Sequence, residues 1–402
     1  MRKLLPNFVD NPYYGTILKN AGLTCESIEK IEDIDEVLSK LPIIRKNDVQ
    51  NNNQVMLNKN AKGILSDSSG GSTGLPVNFY HDEHWLAEMA ASVLINDIMQ
   101  GWYFFRRHVK LWGSPKDIKE INSPAARMLT WIKNRRFYDT FDMSAERMWS
   151  YHNDMQKFKP KVIYSYASSI YIFAKFIESN NIKPDYPTVS IITSAECLSD
   201  IMRAQIEKVF HVPVFDRYGA REVGCIAGEC KKHNGMHLHM YDHIIECLDP
   251  VSRQPVWDKL GIIVITDLNN YSFPFIRYEI GDMGILSKEV CSCGRQTYLL
   301  KKIVGRISDT ITTKTGRLIH GEYFTHAFYG IESIKKFQFI QEERDKYTLN
   351  VVKSEKFQEQ ELNQAITEIY EAVGLNSTID VHFLDDIPVT KSGKYRFTIS
   401  KV

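Results

Sequence analysis

This chain has almost no net charge: 50 Lys and Arg against 49 Asp and Glu leave a formal +1 over 402 residues. Such a balance sets up no overall field for nucleic acid or an anionic membrane surface, and neither is expected as a partner. Nor is there an apolar run long enough to span a bilayer; the longest candidate, residues 162–177, is interrupted by tyrosine, serine and Lys175. The opening Met1-Arg2-Lys3-Leu4-Leu5-Pro6-Asn7 has no signal-peptide core. Seven cysteines, an odd number in a long chain, make no disulfide framework. Together these absences lead to the expectation of a reduced, cytoplasmic protein. Internal repeats and low-complexity segments are missing too, which excludes a repeat architecture.

What remains is an ordinary globular composition, 43% hydrophobic and 25% charged, with length for two or three domains. The stretch that stands out is Ser66-Asp67-Ser68-Ser69-Gly70-Gly71-Ser72-Thr73-Gly74-Leu75-Pro76, three glycines and five hydroxyl side chains in eleven positions. Such a loop buries little and is entropically unfavourable to order, so packing does not explain it. Backbone N–H groups and hydroxyls closing around a phosphate would explain it; a flexible linker and a plain turn are the competing readings. A Walker loop places lysine directly after its last glycine, and Leu75 stands there instead.

Residues 1 to about 60 read as helical and connective. Leu41 to Asp48 looks like a short entry into a helix capped by Asn47 or Asp48, and Asn51-Asn52-Asn53 like a turn. After the glycine loop, Leu86, Met89, Ala90, Val93 and Leu94 recur at three and four, predicting an amphipathic helix over 85–99. Strand-like runs at 109–112, 162–166, 189–193 and 212–215 alternate with helical patterns, which predicts a parallel or mixed sheet covered on both faces. Ligands bind beyond the carboxyl ends of such strands. Two polar clusters are expected there, Ser194-Ala195-Glu196 and Asp216-Arg217-Tyr218-Gly219-Ala220-Arg221-Glu222. Runs at 244–248, 262–266 and 275–278 suggest a β-rich subdomain. Gly305 to Asp309 reads as a junction, placing domains at 1–304 and 305–402. The second is a small α+β domain ending in the basic loop Pro388 to Arg396.

Several residues in this layout suit a nucleotide. Tyr218 can stack on a base, Gly219 lets backbone approach a ligand, and the Glu222 carboxylate suits Mg²⁺. Asp282, on an expected glycine turn after a strand, can accept two hydrogen bonds from a ribose diol. Arg306 can contact ligand from the junction. Read blandly, these are surface turns, a linker charge and, at Lys394, a solubilising lysine. The cysteines make a second group: Cys230, then Cys291-Ser292-Cys293-Gly294-Arg295, whose C-x-C-G turn resembles a zinc knuckle. His237, His239, His233 and Cys225 are available to complete it, or all are small buried residues in a reducing compartment.

Taken in order from Ser69 to Lys394, these motifs resemble the adenylate-forming superfamily of acyl-CoA synthetases and adenylation domains. They are most similar to the phenylacetate–CoA ligase family and its relatives in capsule and O-antigen gene clusters; Leu41-Pro42-Ile43-Ile44-Arg45-Lys46 is similar to that family's N-terminal segment. The resemblance implies an α/β fold: a large N-terminal domain of layered β-sheets with flanking helices and a β-rich subdomain, and a small mobile α+β C-terminal domain. It implies that Ser69, Gly70, Gly71, Ser72, Thr73 and Gly74 form a phosphate loop. Ala195 and Glu196 would line the adenine pocket, with Asp216 at the adenine amino group and Tyr218 against the ring. Glu222 would bind Mg²⁺, and Asp282 with Arg306 would hold the ribose. Lys394 would swing in to neutralise charge during adenylate formation. The family's Gly-x-His pattern matches Gly235-Met236-His237, so Cys230, His237, Cys291 and Cys293 would hold a structural Zn²⁺.

The implied activity is ATP-dependent activation of a small carboxylic acid, with transfer to coenzyme A. Transfer to a carrier-protein thiol or to an amino sugar in surface polysaccharide biosynthesis is the alternative, and a non-catalytic nucleotide-binding protein a third. The acyl pocket would lie within 109–222, with Trp112, Tyr164, Tyr166 and Ala167 as candidates. Leu75 replaces a lysine often found in the family's loop, and Ser308 the usual Asp or Lys of the hinge, with Asp309 next.

Overall fold

The computed structural model describes residues 1–69, 77–112, 128, 130–140, 143–306, 311–316, 318–319, 321–328, 331, 333–388 and 396–402. They fall into two compact units: Met1–Ile280 with Gly284–Lys302, and Gly281–Met283 with Ile303–Val402.

The first unit opens with the 3-10 turn Leu5–Phe8 and helices Tyr14–Asn20, Cys25–Glu29, Ile34–Lys40 and Lys46–Met56. Asn51, Asn52 and Asn53 lie inside the last of these rather than in a turn. Asp48 starts that helix from its third position, accepting from the Arg45 N–H at 2.7 Å. Val49 and Met56, seven residues apart, bury the same face. Two asparagine side chains are engaged, Asn52 with the Asp48 carbonyl and Asn53 with that of Asn78. Asn53 thus reaches outside the helix, while Asn52 bonds back to a carbonyl that the helix's own ladder also uses.

Strands β1 (Leu65–Ser68) and β2 (Asn78–His81) form an antiparallel hairpin, followed by the helix Glu83–Met99. Asp82 caps this helix, accepting from the Trp85 N–H at 2.8 Å. The chain then lays down β3 (His108–Trp112), β4 (Arg135–Asp139), β5 (Val162–Ser165), β6 (Ser190–Ser194), β7 (Val214–Ala220), β8 (Gly224–Glu229), β9 (Met236–Leu238), β10 (His243–Leu248), β11 (Leu260–Asp267), β12 (Tyr278–Ser287) and β13 (Leu299–Arg306). All eleven share one sheet, in the order β10-β11-β12-β13-β9-β8-β7-β6-β5-β3-β4.

From β4 to β7 neighbouring strands are parallel; β7–β8, β8–β9, β9–β13 and β10–β11 are antiparallel. In the parallel half, Ile163, Ile191 and Val214 face a core built with helices Ala145–Phe158, Ala167–Ser179 and Asp200–Phe210, while Val162, Tyr164 and Ile192 cluster on the opposite side. The β-rich part is the antiparallel end of this same sheet.

Two segments expected to be loops are strands. Asp216 to Ala220 belong to β7, because antiparallel pairing with β8 (Arg217 opposite Gly228) carries the strand on after β6 ends opposite Arg217. Glu279 to Asp282 belong to β12; Gly281 takes a positive φ of 91° without ending the strand.

The second unit contains the bridge β14–β15 (Ile311–Thr312, Leu318–Ile319), the helix Gly321–Ala327, and a sheet of β16 (Ile334–Glu343), β17 (Lys346–Lys353), β18 (Thr378–Phe383) and β19 (Thr398–Ser400) in the order β18-β17-β16-β19. The helix Glu359–Val373 buries Leu362, Ala365, Ile369 and Val373, at spacings of three and four, in a core with Phe339, Leu349 and Val351. Among the described residues no helix is long and apolar enough to cross a membrane.

Candidate functional site

The β1–β2 hairpin ends in a double-bonded neck. The Ser69 N–H donates to the Val77 carbonyl at 2.9 Å, and the Val77 N–H donates to Ser69 Oγ at 2.9 Å. Between them run Gly70, Gly71, Ser72, Thr73, Gly74, Leu75 and Pro76, which lie outside the described residues.

The hairpin is fastened to the β7–β8 turn. His81, the last residue of β2, bonds through Nε2 to the Glu222 carbonyl at 3.1 Å, and the Arg221 guanidinium lies 4.0 Å from Asp67 on β1. The His81 ring stacks flat on Trp85 at 3.4 Å, and Trp85 Nε1 donates to Asp267 at 2.6 Å. On the same turn, His243 Nε2 bonds to the Val223 carbonyl at 2.7 Å. Two imidazoles thus hold successive carbonyls of the turn that carries Glu222. Sequence reading missed both, since an isolated histidine has no spacing to mark it. Gly219 has a local reason to be glycine as well: a Cβ there would sit 2.6 Å from the Gly224 carbonyl oxygen.

After β6, and on β7 level with the end of β6, the expected adenine residues have firm partners. Ala195 turns the chain with φ at 70°. Glu196 accepts from the Ser168 N–H at 2.9 Å, at the start of the helix Ala167–Ser179. Asp216 accepts from Thr193 Oγ1 at 2.9 Å, its neighbour across the β6–β7 register, and from the Arg217 N–H at 3.0 Å. Burial, and then the nearby negative charge of Glu229, push the Asp216 carboxyl up to about 7. Burial opposes the charge of Glu229 too, but His233 and the Arg203 fork (2.8 and 3.0 Å) outweigh it and hold Glu229 below the usual carboxylate range. The neighbouring carboxyls therefore titrate apart, and neutral Asp216 can donate as well as accept.

The raised value has a consequence for stability. The unfolded chain ionises Asp216 near 4 and the folded chain only near 7. Its contribution is therefore unfavourable above pH 4, grows until about pH 7 and is constant beyond. Asp216→Asn keeps the acceptor for Thr193 and is expected to raise the melting temperature at pH 8 but not at pH 4. Thermal melts across that range check the sign; equal shifts at both pH values would show that burial does not govern this group.

A second constellation joins β8, β9 and the β12–β13 connection. Cys230 follows β8, His237 lies in β9, and Cys291 and Cys293 lie between β12 and β13; their ligand atoms all fall within 4.8 Å of one another. Cys230 Sγ is 3.8 Å from Cys291 Sγ, and Cys293 Sγ is 3.3 Å from His237 Nε2. A zinc tetrahedron with Zn–S of about 2.3 Å and Zn–N of about 2.0 Å has S···S edges of about 3.8 Å and S···N edges of about 3.5 Å, so the donor set fits that ion. His237 Nδ1 is bonded to Thr297 Oγ1 at 2.8 Å, which turns Nε2 toward the sulfurs. Burial raises the Cys230 thiol to about 11. At Cys293 burial acts the same way, but hydrogen bonds from Arg295 and the other two thiols prevail and bring it down to about 7. The other candidate ligands are engaged elsewhere: Cys225 with Asn96, and His233 with Glu229 and Arg203. His239 is outside the cluster too.

Residues 311–401 match the family described as the CapK C-terminal domain. The chain is homologous to Protein CapK of Staphylococcus aureus, 23% identical over 398 residues, 98% of this chain and 86% of that one. It is also homologous to phenylacetate-coenzyme A ligase of Thermus thermophilus, 27% identical over 162 residues, 39% of this chain and 36% of the ligase. Among solved structures, 2-hydroxyisobutyryl-CoA ligase in the postadenylation state superposes with a TM-score of 0.77 at 17% identity, covering 100% of this chain and 88% of that one. The fold is that of the adenylate-forming enzymes.

Within this adenylate-forming fold the first unit brings His81 and Glu222 together at the hairpin–turn junction; Ser69 lies at the other end of the hairpin, since His81 is opposite Leu65 while Ser69 bonds to Val77. Tyr218 and Gly219 lie on β7 leading into that turn, Ala195 and Glu196 follow β6, and Asp216 lies within β7 opposite Thr193 near the end of β6. Asp282 lies in β12 within Gly281–Met283, and Arg306 ends β13; both belong to the second unit. The hinge pair Ser308 and Asp309, and Lys394, lie outside the described residues. Of the acyl-pocket candidates, Ala167 is fully buried and Tyr164 joins a buried network with Asp97 and Arg217, whose guanidinium lies 5.8 Å from the ring. Trp112 and Tyr166 pair at 4.3 Å.

Proposed function

We propose that this protein is a cytoplasmic, AMP-producing acid–thiol ligase. It activates a carboxylic acid with ATP as an acyl-adenylate and then passes the acyl group to coenzyme A. The observation that carries this reading is the His81–Glu222 bond on an adenylate-forming fold: it joins the glycine hairpin to the turn bearing the metal carboxylate. In this reading Gly70 to Gly74 hold the β- and γ-phosphates through backbone N–H groups and hydroxyls. Glu222 holds Mg²⁺, which neutralises phosphate charge. Asp216, Glu196 and Ala195 surround the adenine, Tyr218 lies on its face, and Asp282 with Arg306 takes the ribose. The acid's carboxylate attacks the α-phosphorus, pyrophosphate leaves, and Lys394 stabilises the charge that develops. The second unit then rotates about residues 308–309 and clears Lys394 for thiol attack on the mixed anhydride. Cys230, His237, Cys291 and Cys293 hold a structural Zn²⁺ that takes no part in the chemistry.

Carboxylate-dependent exchange of pyrophosphate into ATP, over a panel of aryl, alkyl and amino acids, tests the first half-reaction. ATP binding without exchange for any acid would favour a nucleotide-binding protein without turnover. The homology to Protein CapK over 98% of the chain favours one second reading, in which the acceptor is a carrier-protein thiol or an amino sugar in surface polysaccharide biosynthesis. Exchange with no thioester on adding coenzyme A would select it.

The His81 bond makes its own prediction. His81→Phe keeps a ring against Trp85 but removes the N–H that holds the Glu222 carbonyl. The Mg²⁺ concentration for half-maximal exchange should rise about tenfold, the worth of one lost hydrogen bond. His81→Gln, which restores a donor, should recover most of it. Equal effects of the two variants would mean that packing alone is at stake.

A further inference from the structure

The net charge of +1 conceals a strong local asymmetry. Three parallel strands, β4, β3 and β5, are entered from turns that lie side by side. The His108 N–H donates to the Asn134 carbonyl at 3.0 Å, and the Lys161 N–H to the Arg107 carbonyl at 2.7 Å. Asn134 Nδ2 also donates to the Phe105 carbonyl at 3.0 Å. Each turn passes through a left-handed residue: Phe105, Asn134 and Lys159 have φ of 64°, 48° and 52°. The segments 101–107, 131–136 and 157–161 carry eight Lys and Arg and no Asp or Glu, which leaves the rest of the chain net negative. Of these cations, Arg136 is paired with Asp154 and Lys159 with Asp185.

The same turns expose what globular surfaces ordinarily cover. Phe104 is 63% exposed, Phe105 72% and Trp131 80%, with Tyr103 and Ile132 exposed beside them. A bulky side chain such as Phe105 is uncommon at positive φ, and this backbone holds its ring in solvent. We propose that this basic, aromatic end of the sheet docks the protein on an anionic phospholipid surface. Aromatic rings at turn tips suit the headgroup region, and flanking cations add attraction to acidic lipids. Two of the guanidinium groups favour a lipid surface over a nucleic acid. Arg106 is committed to the Gly101 carbonyl at 2.6 Å and Arg107 to the Phe158 carbonyl at 2.7 Å, so they supply charge rather than a free fork for reading bases. The patch belongs to the amino ends of β3, β4 and β5, whereas Ala195 and Glu196, the expected adenine residues, follow the carboxyl end of β6. Docking therefore leaves these two residues of the first unit uncovered.

The test is co-sedimentation of the full chain with vesicles of equal parts phosphatidylglycerol and phosphatidylcholine, against phosphatidylcholine alone, at low and high salt. Binding should require the anionic lipid and weaken with salt. Phe104→Ser/Phe105→Asn/Trp131→Ser and Lys133→Glu/Lys157→Glu should each weaken it by at least about tenfold. Asparagine tolerates the left-handed backbone at 105, and the changes are at exposed positions, so the melting temperature should hold. Failure of the wild type to bind, equal binding to neutral vesicles, or undiminished binding by both folded variants would overturn the proposal. So would a concentration-dependent dimer that the aromatic variant abolishes without any vesicle binding, which would make a second copy the occupant.

Discussion

Cys291→Ser protein is expected to emerge from purification without metal and to melt about 10 °C below the wild type. The size follows from where the ligands stand. Cys230 and Cys291 are 61 residues apart in sequence, with their sulfurs 3.8 Å apart. The ion would fasten the end of β8 and the middle of β9 to the β12–β13 connection, and β9 pairs with both β8 and β13. Metal that binds only the folded chain adds its binding energy to folding. Without it, three thiols and an imidazole are left together around a space that was shaped for a cation. Stripping the wild type with a chelator should reproduce the variant's melting temperature, and the same treatment should leave the variant unchanged. Metal analysis of wild-type protein purified without chelator should give one zinc per chain. A clearly substoichiometric content, or a chelator-insensitive melt, would remove the zinc assignment and leave a cluster of cysteines.

Lys394→Ala should reduce adenylate formation by about 10²–10³-fold, in line with removal of a group aimed at developing charge. The same protein should still make thioester from supplied acyl-adenylate. The division follows from Leu75. In the proposed reading, with no lysine in the glycine loop, the attractive charge on the phosphates would come from Mg²⁺ and from a residue that arrives later. Lys394→Arg should not rescue, because a planar guanidinium fork does not reproduce a compact ammonium. Pyrophosphate exchange reads the first half-reaction, and coenzyme A acylation from synthetic adenylate the second. Loss of both halves would place Lys394 in a shared binding role, and loss of neither would remove it from the chemistry.

The α/β architecture was legible where short apolar runs alternate with helical patterns. The strands near 109, 163, 191 and 214 stand within a few residues of their expected positions because short apolar runs mark them; the helix at 83–99 stands where it was expected, but it buries Trp85, Ser92, Asn96, Asp97 and Met99 rather than the expected apolar set, of which Ala90 is exposed. The antiparallel strands were harder. Gly224–Glu229 reads Gly-Cys-Ile-Ala-Gly-Glu and Tyr278–Ser287 carries two glycines, so each resembles a turn until its partner strand is in place. Asn51 to Asn53 failed for the opposite reason, since propensity said turn while Asp48 and the buried Val49–Met56 face said helix. The cysteine cluster was visible through its C-x-C-G spacing. His81 and His243 were not, because what they do depends on carbonyls 141 and 20 residues away.

The neck at Ser69 and Val77 also bears on how this protein can change over generations. Two hydrogen bonds between Ser69 and Val77 close the hairpin, so residues 70–76 join two positions that are already held together. Lengthening a closed loop carries a small entropic penalty, about 0.6 kcal/mol for each doubling. Insertions and replacements between 70 and 76 would then register in ligand affinity long before they register in thermal stability. A lineage carrying this hairpin can try new loop sequences, with or without a lysine at 75, while the sheet beneath keeps its register.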